Sequence, residues 1–168
     1  MKKVLFSDLD GTLLDLNSYS FNKSIDAVKS VQNAKIPIVF CSSKTRMEQE
    51  FYRKKFGVKH PFIVENGSAI FIPRAYFKSK IPFNTYLTED YEVIQLGDPV
   101  SQIRHEIQKL RGELDLDFQC YFDLPPEEVS LFTALNLSEA KRAMLREFSE
   151  TILNGRVNDS FLRRLKRR

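Results

Sequence analysis

The chain has 168 residues, of which 42% are hydrophobic and 14 are phenylalanine, so it can bury a core in one domain or in two small ones. Its formal net charge is +4, but five basic residues between Arg163 and Arg168 contribute +5, so the rest of the chain is close to neutral. Because the basic residues lie at one end without interleaved aromatic residues, we expect no nucleic-acid partner. No signal peptide and no long apolar run is present, so we expect a cytoplasmic protein without a membrane partner.

Residues 1–80 alternate between predicted strands and helices. Short apolar runs predict strands at 4–7, 36–41 and 62–64, and we expect the first of them to be buried. A helix is predicted after Asn22, which is a candidate cap. Strand–helix–strand repeats favour right-handed crossovers and a parallel sheet, so the expected fold class is α/β with a Rossmann-like core.

The second helix has clearer end signals. Thr45 and Glu48 have the spacing of a capping box, and Gly57 is placed to end the helix. Asn66–Gly67 predicts a tight hairpin turn into a strand at 69–72. Cys41 precedes this helix in an apolar stretch and, like Cys120, is expected to be a buried free thiol.

Residues 81–168 are predicted to form an α+β domain, with a boundary near residue 80 inside a linker at 74–90. The predicted elements are a strand at 91–96, a helix around Ile107 ended by Gly112, a strand at 118–122, helices beginning at Pro126 and Ser138, the latter reaching Phe148, and a final helix containing Phe161. This second half has no internal repeat.

The N-terminal strand leads into Asp8 and Asp10, followed by Gly11 and Thr12. Alternate residues of an extended chain point to the same side, so both carboxylates can face one site. Two such carboxylates repel each other unless a cation or a shared proton relieves them, which suits Mg²⁺ and phosphate chemistry. The alternative is a simple Asp-Gly turn. Ligands bind at the carboxyl ends of parallel strands, where Ser42 and Glu65 are also expected.

The string DLDGTLLD resembles the first motif of the haloacid dehalogenase-like phosphatases. The resemblance implies that Asp8 is the nucleophile, which forms an aspartyl-phosphate, and that Asp10 is the general acid and base. It also implies a Mg²⁺ cofactor, with Asp8 and the backbone carbonyl of Asp10 as metal ligands. In the second motif of that family a hydroxyl group binds phosphate. We assign this hydroxyl to Ser42, with Ser43 as the other candidate. The alternative is that these residues only cap the following helix.

Four longer strings, CSSKTRMEQE, PFIVENGSAIFIP, YEVIQLGDPVSQIRHEI and AKRAMLREFSE, resemble the mannosyl-3-phosphoglycerate phosphatases over residues 3–164. That family implies a core at 1–80, a C2-type cap at 81–168, and a phosphorylated sugar-glycerate substrate hydrolysed to mannosylglycerate, a compatible solute. The substrate-binding or phosphate-binding residues that it implies are Gly11, Thr12, Ser42, Ser43, Lys44, Glu65, Asn66, Gly67, Arg146 and Ser149. The alternatives are a solvated Lys44, a plain hairpin turn at Asn66–Gly67, and an exposed helix charge at Arg146.

The resemblance has a gap after the cap. Members of the family continue into a lysine motif and an acidic metal-binding motif, and no sequence of that kind follows Asp159. We therefore expect an incomplete core with an exposed parallel edge and an uncovered apolar face. The chain would be a fragment, a subunit completed by a second copy or a complementing piece, or a stable remnant.

Two further functions remain open. One is a non-catalytic protein that binds a phospho-ligand or a partner. The other is a phosphatase for a different sugar phosphate.

Overall fold

A computed structural model describes residues 3–166 of the chain. Its contacts divide the chain into two compact units, one ending at Gly97 and the other beginning at Asp98. This division lies later than the predicted boundary near residue 80, because the strand at Tyr91–Gln95 pairs with Ala69–Pro73 and so belongs to the first unit.

The first unit contains six strands and two α-helices among its described residues. The strands are β1 (Leu5–Ser7), β2 (Ile38–Cys41), β3 (Phe62–Val64), β4 (Ala69–Pro73), β5 (Tyr86–Leu87) and β6 (Tyr91–Gln95). The helices are α1 (Ile25–Asn33) and α2 (Arg46–Phe56), with short 3₁₀ turns at Asn22–Ser24 and Glu65–Gly67. The cap position of α1 is occupied by Ser24, whose side chain makes no capping hydrogen bond. The predicted cap at Asn22 is therefore wrong.

The six strands form one sheet in the order β1-β2-β3-β4-β6-β5. β1, β2 and β3 are parallel neighbours, as predicted, and Leu5 lies opposite Ile38. β4, β6 and β5 extend the sheet in antiparallel fashion, so the residues predicted as a linker include strand β5. The loops that follow β1 and β2, and the turn after β3, therefore all lie at the carboxyl ends of these three parallel strands.

The core of the first unit is built from aromatic side chains. Phe40, Phe62 and Phe71 are fully buried. Phe62 and Phe71 lie opposite each other on β3 and β4 and stack with 5.4 Å between ring centroids. Phe56 of α2 meets the Phe40 ring edge-on at 5.8 Å, which fixes the helix against the sheet.

Strand β1 is not buried, contrary to the sequence prediction. It occupies the edge of the sheet, where Phe6 is 62% exposed and Val4 52%. Phe6 and Val39 line one open apolar groove of about 610 Å³ with side chains from the segment at 76–83. The physical reason is that β1 has a strand neighbour on one side alone among the described residues. The expected exposed edge is present in the first unit, whereas the apolar face is uncovered only beside β1, because Ile81 packs against Ile72 and Ile94 further along it.

The second unit is α+β, as predicted. Its elements are α3 (Val100–Glu113), β7 (Phe118–Cys120), α4 (Pro126–Thr133), α5 (Leu137–Ala143), β8 (Ile152–Gly155) and α6 (Asp159–Lys166). β7 and β8 form an antiparallel pair. One apolar cluster contains Leu110, Phe118 and Phe161, and another contains Val129 and Ala140.

Three details of the second unit differ from the prediction. Helix α3 does not end at Gly112 but continues to Glu113. A side chain in place of Gly112 would meet open space, so packing does not require a glycine there. Asn136 rather than Ser138 caps α5, because its side chain accepts a hydrogen bond from the Glu139 amide, and that helix ends before Phe148. Strand β8 carries no sequence signal that predicted it. No helix among residues 3–166 is long and apolar enough to cross a membrane.

The two cysteines have different environments. Cys120 is buried, as predicted, and burial foremost raises the pKa of its thiol to about 12. Cys41 is exposed, so the prediction of a buried thiol is wrong there. It is the last residue of β2, where the chain leaves the core, and this position explains the exposure.

We expect substitutions in β1 and β2 to differ sharply in cost. Phe40→Ala should lower the free energy of unfolding by about 3–5 kcal/mol, because it opens a cavity in the core. Phe6→Ala, at the exposed edge, should change it by no more than about 0.5 kcal/mol. Urea unfolding followed by circular dichroism measures both. Equal losses would contradict the edge position of β1.

We also expect the thiols to react separately. At pH 8 a chromogenic disulfide reagent should modify Cys41 in the folded chain, because a thiol attacks the reagent only where the reagent can reach it. Cys120 should react after unfolding in urea. Cys41→Ser removes the fast phase and is the control. A folded chain in which both thiols react quickly would contradict the buried position of Cys120.

Candidate active site

The loops that follow β2 and β3 are bonded to each other through their backbones. The Asn66 amide donates to the Ser42 carbonyl at 3.1 Å, and the Glu65 amide donates to the Lys44 carbonyl at 3.1 Å. The Ser42 amide donates to Ile63 at 3.2 Å. The predicted site residues of these two loops are therefore held together at the carboxyl ends of β2 and β3.

The loop that follows β1 is a compact turn around a buried leucine. The Leu9 carbonyl accepts hydrogen bonds from the amides of Thr12, Leu13 and Leu14 at 2.8–3.2 Å. Gly11 adopts a φ of +71°, a left-handed conformation that favours glycine. Its amide donates to the Leu14 carbonyl at 2.9 Å. Gly11 and Thr12 are thus exposed parts of a hydrogen-bonded turn.

Asp8 and Asp10 lie on either side of Leu9 but differ in environment. Asp8 is exposed, and its Oδ1 accepts a hydrogen bond from the Leu9 amide at 2.6 Å. Asp10 is half-buried, and its Oδ1 lies 3.1 Å from the Lys44 ammonium. That oxygen is buried and accepts no other hydrogen bond from the described residues. Asp8 is therefore open to a ligand, whereas Asp10 already has a cationic neighbour.

Lys44 is a buried lysine rather than a solvated one, so that alternative is wrong. Its side chain is 7% exposed, and Nζ lies 3.1 Å from Asp10 and 3.4 Å from Glu48 Oε1. The rings of Tyr19 and Tyr52 lie 4.9 and 5.8 Å from the ammonium, within the range of cation–π attraction.

Lys44 remains charged in this environment. Burial alone would lower its pKa, but the charges of Glu48 and Asp10 outweigh that cost and raise the pKa above its usual value. The site therefore contains a fixed positive charge beside Asp10.

Thr45, the residue after Lys44, caps helix α2, and the predicted capping box is confirmed. Glu48 Oε2 accepts hydrogen bonds from the Thr45 amide at 2.9 Å and from the Thr45 hydroxyl at 3.1 Å. The Thr45 hydroxyl accepts from the Glu48 amide at 3.2 Å. Gly57, with φ +67°, ends the helix as predicted. The capping spacing identified Glu48, but it gave no sign that Glu48 also contacts Lys44.

The two serines differ in exposure. Ser42 is buried, and its hydroxyl accepts a hydrogen bond from the Lys44 amide at 3.4 Å. Ser43 is exposed. Both lie in the same short loop before α2, so the assignment between them stays a prediction.

The turn after β3 is a hairpin, as predicted, because β3 and β4 are antiparallel. Asn66 has φ +59° and Gly67 has φ +94°, so both occupy the left-handed region. Glu65 is 1% exposed and is buried beneath this turn, whereas Asn66 is exposed. Of these three, Asn66 therefore presents its side chain most openly.

Arg146 and Ser149 contact each other within the second unit. The Arg146 guanidinium donates to the Ser149 hydroxyl at 2.6 and 2.9 Å. Arg146 is half-buried and lies beyond the end of α5, so an exposed helix charge is the wrong description. Glu150 is buried in an ion pair with Arg104 at 2.6 Å.

The donor set suits a loosely held magnesium ion. Among residues 3–166 no group of three or more His, Cys, Asp or Glu side chains is placed to bind a metal. The exposed Asp8 carboxylate and the Asp10 carbonyl can supply two oxygen ligands, and Mg²⁺ commonly keeps several waters beside one or two carboxylates. The Asp10 carboxylate faces Lys44 instead.

Known proteins similar to this chain give a consistent identification. It is 43% identical over 152 residues to a mannosyl-3-phosphoglycerate phosphatase of Pyrococcus furiosus, a match that covers 90% of the chain and 60% of the relative. It is 39% identical over 150 residues to a glucosyl-3-phosphoglycerate/mannosyl-3-phosphoglycerate phosphatase of Methanococcoides burtonii, covering 89% and 55%. The chain thus spans somewhat more than half the length of these relatives.

The fold is also similar to that of the crystal structure of TM0651 from Thermotoga maritima. That similarity has a TM-score of 0.55 at 16% identity and covers 99% of this chain and 61% of the other. A family model described as haloacid dehalogenase-like hydrolase matches residues 5–110, which include both aspartates and Lys44. The chain therefore belongs to the haloacid dehalogenase-like hydrolase family.

Proposed function

We propose that this protein acts as a phosphatase on mannosyl-3-phosphoglycerate and releases mannosylglycerate. The observation that carries the proposal is the pairing of an exposed Asp8 with an Asp10 held beside the buried Lys44 ammonium. The names of the similar proteins supply the substrate class. A soluble enzyme of the cytoplasm, where sugar phosphates are made and used, is part of the same proposal.

The proposed reaction has two displacement steps. An oxygen of the Asp8 carboxylate attacks phosphorus and breaks the bond to the glycerate oxygen, and Asp10 donates a proton to the leaving alkoxide. In the second step Asp10 takes a proton from water, which attacks the phosphorus of the aspartyl-phosphate. Inorganic phosphate leaves, and the Asp8 carboxylate is regenerated.

Several groups of the first unit support phosphate binding in this proposal. Lys44 contributes a positive charge that offsets the repulsion between a phosphate and the two aspartates. Ser42, or its competitor Ser43, would donate a hydroxyl hydrogen bond to a phosphate oxygen. Gly11 and Thr12, exposed in the turn after β1, would border the same phosphate.

The Asp8 carboxylate and the Asp10 backbone carbonyl are the residues that would hold Mg²⁺. The ion would supply charge neutralisation between Asp8 and the phosphate. We assign the second unit the role of a C2-type cap, in which Arg146 and Ser149 contact the sugar-glycerate part of the substrate. Asn66 and Gly67 border the entrance, whereas Glu65, predicted with them, is buried beneath that turn.

A second candidate is a protein that binds a phospho-ligand without turning it over. The buried Lys44 ammonium favours it, because a fixed cation can hold a phosphate without any reaction. The Asp8 and Asp10 pair disfavours it, because binding alone does not require a nucleophile together with an acid. A phosphatase for another sugar phosphate is a third candidate, since the groups in the first unit recognise phosphate rather than sugar.

The test is phosphate release from mannosyl-3-phosphoglycerate by the 168-residue chain, with and without Mg²⁺. We expect Asp8→Asn to reduce turnover by more than about a hundredfold, because it removes the nucleophile at nearly constant shape. Asp26→Asn, the same change at an exposed position on α1, is the matched control.

A panel of glucosyl-3-phosphoglycerate and simple sugar phosphates separates the candidates. Faster release from another sugar phosphate would replace the proposed substrate. Phosphate binding by a folded chain without any release would favour the non-catalytic function.

A further inference from the structure

The Lys44 ammonium is fixed by two carboxylates that come from different parts of the chain. Asp10 belongs to the loop after β1, and Glu48 belongs to the first turn of α2. The side chains of both Lys44 and Glu48 are at least nine-tenths buried. Because a flexible lysine has many rotamers, two buried acceptors restrict its head group far more than one exposed acceptor would.

Glu48 divides its two oxygens between two tasks. Oε2 accepts from the amide and hydroxyl of Thr45 and so completes the capping box. Oε1 faces Lys44 Nζ at 3.4 Å. The cap fixes the orientation of the carboxylate, and the oriented carboxylate in turn fixes the ammonium. The start of helix α2 is thereby linked to the loop that carries the two aspartates.

We infer that Glu48 is a positioning residue of the active site, which holds the Lys44 ammonium beside Asp10 as a preset cation for a phosphate oxyanion. This inference rests on the proposed function, since it deepens the role of the same site. Glu48 does not itself touch the phosphate. Its effect on phosphate binding passes through Lys44.

The chemistry of an amide makes Glu48→Gln a sharp test. Glutamine supports a capping box as well as glutamate does, with its oxygen facing the Thr45 amide. Its NH₂ group then occupies the position of Oε1 and faces the Lys44 ammonium, so two donors oppose each other. The cap is kept, and the attraction that holds Lys44 becomes a repulsion.

The experiment is a double-mutant cycle read by calorimetric titration of the full chain with inorganic phosphate. We expect Glu48→Gln and Lys44→Met each to weaken phosphate binding by about tenfold, the loss of one charge-assisted contact. The double variant should bind no more weakly than Lys44→Met alone, because Glu48 acts through Lys44. Glu139→Gln, which changes the capping-box glutamate of α5, is the matched control and should leave phosphate affinity unchanged.

Four results would overturn the inference. They are unchanged affinity in Glu48→Gln, tighter binding in that variant, additive losses in the double variant, and no phosphate binding by the parent chain. If Glu48→Gln fails to fold, Glu48→Asp answers the same question, because it keeps the charge but is too short to hold Lys44 at its present position.

The outcomes for the inference and for the proposed function are separable. A chain that shows the coupled loss of phosphate affinity but no turnover would support the positioning role and reject the phosphatase. A chain that hydrolyses the substrate equally well with and without the Glu48→Gln substitution would do the reverse.

Discussion

The ion pair between Lys44 and Asp10 is the contact on which the arrangement of the site depends. Lys44 Nζ lies 3.1 Å from Asp10 Oδ1. The pair joins the loop after β1 to the residue that precedes the cap of α2, although the two are distant in the sequence. A charge buried without a partner is costly, so the loop and the helix start must remain together for Lys44 to stay inside. The strands β1 and β2 make this possible, because they are parallel neighbours and both loops follow their carboxyl ends.

Local signals in the sequence predicted most of the elements around the site. The Thr45 and Glu48 spacing indicated the start of α2, Gly57 indicated its end, and Asn66–Gly67 indicated the hairpin after β3. These features depend on neighbouring residues, so a short window of sequence contains the necessary information. The aspartate pair was found in the same way, and its role in catalysis stays a prediction.

What the sequence could not predict depends on contacts between distant residues. The burial of Lys44 requires Asp10, Tyr19 and Glu48 around it, and no local spacing encodes that enclosure. The antiparallel pairing of β6 with β4 likewise moved the division between units, because an apolar strand carries no record of its partner. Strand β1 has the apolar composition of a buried strand, yet its neighbours leave it at the edge.

That edge has a consequence for the handling of the protein. Natural edge strands usually carry a charge, a proline or a bulge that prevents further pairing. Residues 4–7 have no charge and no proline, Val4 and Phe6 are exposed, and among the described residues β1 has a strand neighbour on one side alone. Self-association by sheet extension should therefore begin at β1, and a single lysine in place of Phe6 is the simplest change to make the chain more soluble at high concentration.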